Sequence, residues 1–243
     1  MSTVAAPGSF SVGGAQHAVA LGVTAGLATM AWLGTSRWAP GRTPRRTRRG
    51  LAVALGATGL GYVLVALGLG TPWRQWLPLH LCDVVVPVAV VALWSRRPRW
   101  TELTYFWGLA GTLPALITPD LRARFPDVHF VFYFLQHGLI VVAVFALLGG
   151  GDVALRPGAP GRAWLTLNVV ALPVALFDAL ADANFMYLRA RPPVATPLDA
   201  FGPWPYYVLA GEVVALVAFT LLYLPFWWRR RPRGGHKPRA REP

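Results

Sequence analysis

Residues 129–149 read HFVFYFLQHGLIVVAVFALLG, twenty-one positions without a single Lys, Arg, Asp or Glu. A helix rises about 1.5 Å per residue, so the run is roughly 31 Å long, matching the hydrocarbon thickness of a bilayer. Gln136 and His137 stand well inside it. At that depth a polar side chain is costly unless it faces partners or water. The stretch therefore predicts a membrane-spanning helix that carries part of a polar site.

Six further apolar stretches lie on either side of it, at about 16–34, 50–70, 79–95, 102–118, 162–181 and 206–228. The 243 residues are 55% hydrophobic and 12% aromatic, with mean hydropathy +0.45, too apolar for a soluble domain. The expected fold is all-α, a polytopic seven-transmembrane-helix bundle forming one domain. An N-terminal segment 1–15 precedes it and a basic, disordered tail 229–243 follows. Basic residues are retained on the cytoplasmic side. Of the 23 Lys and Arg, only Arg74, Arg122, Arg124, Arg189 and Arg191 fall in alternate loops on one side. The others crowd the 1–2, 3–4 and 5–6 loops and the tail. The N-terminus is thus expected outside the cell and the C-terminus in the cytoplasm.

The formal charge of +13 does not point to nucleic acid, because the cations sit beside membrane exits rather than on a soluble module. With one cysteine, neither an internal disulfide nor a zinc–thiolate cluster is possible. The first 15 residues hold no Lys or Arg, so the first apolar stretch reads as a retained anchor and not a cleaved signal.

Depth brings the polar residues together. His80, Cys82 and Asp83 open the third stretch, Gln136 and His137 lie about 10–12 Å into the fifth, and Asp178 and Asp182 end the sixth with Asn184 just beyond. Glu212 is about two turns into the seventh. Four spans thus bring polar groups to one level, and a hydrated pocket opening outward is expected. His129, Tyr133 and His137 make an i, i+4, i+8 stripe, and His80 and Asp83 share a helix face. Glu102, just after Arg96, Arg97 and Arg99, reads as half of an interfacial ion pair.

Three chemistries fit these residues. Cys82 as thiolate attacks acyl carbonyls, and an imidazole such as His137 removes its proton and later returns it to a leaving group. His80, Asp83, Gln136, Asp178, Asp182, Asn184 and Glu212 then orient the imidazole or bind substrate. This reading needs no cofactor. Alternatively, His80, His137 and a carboxylate such as Asp178 bind zinc in a membrane lipid hydrolase. The third possibility is a non-enzymatic carrier or scaffold whose carboxylates bind a cation or proton.

The runs Leu79-His80-Leu81-Cys82, Tyr105-Phe106-Trp107-Gly108-Leu109-Ala110-Gly111-Thr112, Thr118-Pro119-Asp120, Gln136-His137-Gly138, Asn184-Phe185-Met186-Tyr187-Leu188 and Gly202-Pro203-Trp204-Pro205-Tyr206 resemble the YwaF-type family of bacterial integral membrane proteins. The resemblance extends from about residue 50 to 228. It departs from the family at Pro114, often Gln there, and at Phe185, often Tyr. The same superfamily includes a eukaryotic transmembrane acyltransferase that remodels ether phospholipids through a proposed Cys–His pair. The resemblance places that pair at Cys82 and His137, and implies membrane phospholipids as partners and the bacterial cytoplasmic (inner) membrane as location. The oligomeric state is open.

Overall fold

The structure, a computed structural model, describes residues 10–38, 41–192 and 197–230. Most of the N-terminal segment and nearly all of the basic tail lie outside the described residues. Among the described residues eight α-helices follow one another: α1 Ala15–Trp38, α2 Arg45–Gly68, α3 Leu81–Ser95, α4 Pro98–Ala110, α5 Thr112–Ile117, α6 Val128–Gly149, α7 Ala159–Ala181 and α8 Tyr206–Arg230. Among the described residues there is no strand. Five of the helices, α1, α2, α6, α7 and α8, are long and apolar enough to cross a membrane.

The decisive stretch is the central helix. Over its most apolar window α6 is 61% buried, against 11–22% for the other four. It packs against α1, α2, α3, α4 and α5. Glycine opens the closest approaches. A Cβ on Gly138 would lie 3.0 Å from the Thr24 hydroxyl of α1, and one on Gly108 of α4 would lie 2.9 Å from a Val144 methyl. Without a hydrophobic force between helices in lipid, such close van der Waals contact is what holds them together.

Both ends of α6 follow from local sequence. At its start Asp127 accepts the His129 backbone N–H at 2.8 Å. At its end Gly151, at φ +72°, lets the chain reverse while Asp152 N–H reaches back to the Leu147 carbonyl at 2.9 Å. The Asp152 carboxylate then accepts Thr43 N–H at 2.9 Å and Arg96 Nε at 2.8 Å. Nearby, buried Arg48 of α2 donates to the Leu93 carbonyl, one of the acceptors that the end of α3 leaves unpaired.

The third and fourth stretches depart from expectation. The stretch 102–118 is two helices, because Pro114 has no N–H to offer the Ala110 carbonyl four residues back and the chain turns at Gly111. Helix α3 begins at Leu81 and has 15 residues, about 22 Å, shorter than the stretch 79–95. Glu102 is also differently placed. It is 3% exposed and paired at 3.0 Å with Arg162 of α7, while Arg96 turns to Asp152. This pair, the Trp107 indole on the Ala163 carbonyl (3.2 Å) and the Tyr105 hydroxyl on the Leu222 carbonyl (2.9 Å) fasten α7 and α8 to α4.

The cap on α6 gives a pH-dependent prediction. The Asp127 carboxyl is held below the ordinary carboxylate value, first by the His129 backbone N–H and then by its ring. A depressed value stabilises the fold above the unfolded pKa, about 3.9, and that stability fades as pH falls through the lower folded value. Asp127→Ala should cost about 1 kcal/mol near neutrality. In thermal melts at pH 7 and pH 3, the gap between variant and native protein should narrow at pH 3.

Candidate functional site

The start of α3 carries three polar side chains, of which Asp83 meets α6 and His80 meets the turn after α7. His80 precedes the helix, with Cys82 and Asp83 in its first turn. The Asp83 carboxylate accepts the Gln136 amide of α6 at 2.8 Å. His80 Nδ1 accepts the Met186 backbone N–H at 3.2 Å, so the neutral ring carries its proton on Nε2. The same ring packs edge-on to Phe185, centroids 5.3 Å apart, and against Tyr187 at 5.5 Å.

His137 is buried on α6. Its Nδ1 lies 2.7 Å from the Tyr133 carbonyl one turn back. A carbonyl only accepts, so Nδ1 carries the proton and Nε2 of the neutral ring is a lone-pair base. The two rings stack, with centroids 4.2 Å apart. The Tyr133 hydroxyl reaches across to the Ala115 carbonyl of α5 at 2.7 Å, fixing the pair from the far side.

Cys82, the one cysteine in the chain, is half-buried. Its thiol stands close enough to interact electrostatically with Tyr133 and Tyr187, and it lies beside Thr112 at the start of α5. The buried Thr112 hydroxyl makes no hydrogen bond of good geometry, so the thiol is a neighbour of it and not a firm partner. Tyr133 covers one half of the expected pair, its ring lying on His137.

Asp178 is fully buried on α7, with Oδ1 accepting the Phe185 N–H at 3.0 Å and Oδ2 without a hydrogen-bond partner. Beyond it, Asp182 and Asn184 shape the turn. Asp182 meets Arg189 at 3.0 Å, and the Asn184 amide oxygen accepts the Arg189 and Ala190 N–H groups. Glu212 lies elsewhere, accepting the Asn168 amide at 2.9 Å between α8 and α7. Of the residues singled out from sequence, His80, Cys82, Asp83, Gln136, His137 and Asp178 thus share one region. Asp182 and Asn184 serve the neighbouring turn, and Glu212 stands apart.

The zinc reading finds no support in the geometry. Among the described residues no three His, Cys, Asp or Glu side chains are grouped so as to hold a metal ion. The expected outward pocket is also different in form. Two open grooves lie at this end, one of about 460 Å³ lined by Arg74, Asp182, Asn184 and Arg189, the other of about 430 Å³ reaching Arg191, Trp204 and Tyr207. The turn carrying Phe185, Met186 and Tyr187 stands next to both.

Sequence reasoning assigned no role to Asp120, Thr112 or Tyr187. The Tyr187 hydroxyl donates to Asp120 at 2.6 Å. Burial first, then the Asp120 carboxylate, pushes that phenol above its ordinary value, so it remains a donor. The signal was present: all three residues sit in the motif runs quoted above.

The sequence profile of the TMEM164 family matches residues 12–223. An uncharacterized protein of Treponema pallidum (strain Nichols) is 26% identical over 181 residues, covering 71% of this chain and 74% of that one. No solved structure matches. The match is to the TMEM164 family and not to the YwaF-type label suggested by the motifs.

Proposed function

The chain belongs to the TMEM164 family of membrane proteins, and from the site between α3 and α6 we propose that it is a thiol-dependent phospholipid acyltransferase of the bacterial cytoplasmic membrane. In this reading α3 and the α4–α5 unit complete seven crossings. The arginine-rich end faces the cytoplasm and the site end faces outward. A phospholipid then serves as acyl donor, since a cytoplasmic thioester would have to cross the bilayer to reach Cys82.

The observation that carries the reading is the tautomer of His137. Its Nδ1 proton is committed to the Tyr133 carbonyl, which leaves Nε2 as a base in the same region as the one thiol in the chain. A free thiol has a pKa of about 8.5, so a base is needed near neutrality. Cys82 Sγ attacks the ester carbonyl of the donor lipid while Nε2 takes the thiol proton. The C–O bond then breaks, the proton passes to the departing glycerol oxygen, and a lysophospholipid leaves an acyl thioester on Cys82. The hydroxyl of an acceptor lysophospholipid next attacks the thioester. Its proton passes through Nε2 to the leaving sulfur, and a new ester is released with the thiol restored. Catalytic contacts in a resting site are often looser than in the working complex, so substrate is expected to draw Cys82 and His137 together.

Purified protein incubated with phospholipid carrying a radiolabelled acyl chain should acquire label that hydroxylamine releases. Cys82→Ala should acquire none. Equal labelling of the two proteins would rule out the thioester.

A further inference from the structure

We infer that residues 184–188 form a lid over the start of α3, where Cys82 lies, latched by side chains from four separate parts of the chain; the lid's purpose rests on the thiol site proposed above, but its existence does not. The segment follows α7 and crosses the start of α3. Phe185 N–H is held by Asp178 of α7 at 3.0 Å, and Met186 N–H by His80 before α3 at 3.2 Å. The Tyr187 hydroxyl is held by Asp120 before α6 at 2.6 Å, and the Tyr187 carbonyl accepts the Tyr207 hydroxyl of α8 at 2.7 Å. Phe185, 1% exposed, plugs the space between Val174 and Leu77 and Leu79.

The backbone of this segment is at odds with its residues. Met186 and Tyr187 sit at φ +52° and +56°, the left-handed region that a residue with a Cβ avoids. Both positions are disfavoured relative to right-handed backbone, so the turn keeps its shape only because the latches offset that cost. A strained segment held by a few identifiable bonds has a second, released conformation within reach, and such segments cluster at clamps and switches. The position gives the lid something to control. The Tyr187 ring lies on His80, the residue that caps α3 two positions before Cys82. The two grooves touch the segment at Asn184 and at its Tyr207 partner, which provides open volume on the side away from the thiol.

The one cysteine makes this testable without any turnover assay. Full-length protein in lipid nanodiscs is treated with a polar maleimide, and modification of Cys82 is followed by mass. Native protein should react at least tenfold more slowly than the same chain unfolded in detergent. Tyr187→Phe and Asp120→Ala should each raise the rate several-fold while the protein remains a monodisperse folded species, and Tyr206→Phe, at an exposed ring, should not. Because the first two variants remove one and the same bond, the double variant should react no faster than either single one. Additive acceleration, native rates in both variants, or acceleration accompanied by loss of the folded species would each overturn the lid. A latch that behaves as expected in a protein that transfers no acyl groups would refute the enzyme while leaving the lid intact.

Discussion

Membranes carrying Cys82→Ala protein should show no acyl exchange between phospholipids above that of membranes lacking the protein. The loss should be total because in the proposed mechanism the acyl group travels from one lipid to the next on the thiol. His137→Ala should lower exchange by about 10²–10⁴-fold, the usual worth of a positioned general base. If the two residues act as one unit, the double variant should be no slower than Cys82→Ala, since groups serving one step are far from additive. Glu212→Gln supplies the contrast. Its carboxylate is occupied by Asn168 between α7 and α8, so exchange should stay within about twofold of native. Lipidomics on the four membranes decides the matter. Exchange retained in Cys82→Ala would end covalent catalysis, and exchange abolished by Glu212→Gln would place part of the site where the fold does not.

The outline of the bundle was legible because period and length speak for themselves in lipid. A run such as 129–149 has nowhere to go except across the membrane, and it is the helix the others surround. The stretch 102–118 was harder. Its composition is that of a span, and the break at Gly111 depends on one missing N–H at Pro114, which hydropathy does not register. Depth along each helix put Asp83 and Gln136 at one level, and their side chains meet at 2.8 Å, since helical rise is nearly invariant. The same measure placed Glu212 with them, because depth leaves rotation about the helix axis open. Glu212 points to Asn168, and nothing in spacing alone distinguishes that from pointing inward. Least legible were Asp120 and Tyr187. They lie in connections, where position is set by tertiary latches and a left-handed backbone rather than by any period.

Arg162→Ala should destabilise the protein more than any substitution in the site. Glu102 is 3% exposed, and Arg162 meets both of its oxygens, at 3.0 and 3.1 Å. Removing the arginine leaves a carboxylate buried between α4 and α7 without its counter-charge, and orphaning one member of a buried pair costs about 3–5 kcal/mol. The Arg162 side chain is 42% exposed, so water reaches part of the pair and the lower end, about 3 kcal/mol, is the better figure. Position magnifies the effect. Helices α7 and α8 touch the remaining helices chiefly through α4, where Trp107 and Tyr105 each add a single hydrogen bond to this pair. Loss of the clamp should therefore loosen the α7–α8 hairpin as a unit, carrying Asp178 and the turn after it away from His80. Replacing both partners, Glu102→Leu with Arg162→Leu, should recover most of the stability, because the burial cost disappears together with the attraction. Unfolding of the three proteins in a denaturing-detergent titration would show the order native, double, single. A double variant as unstable as Arg162→Ala would mean that the pair holds α4 to α7 by attraction, and not merely by keeping a buried charge satisfied.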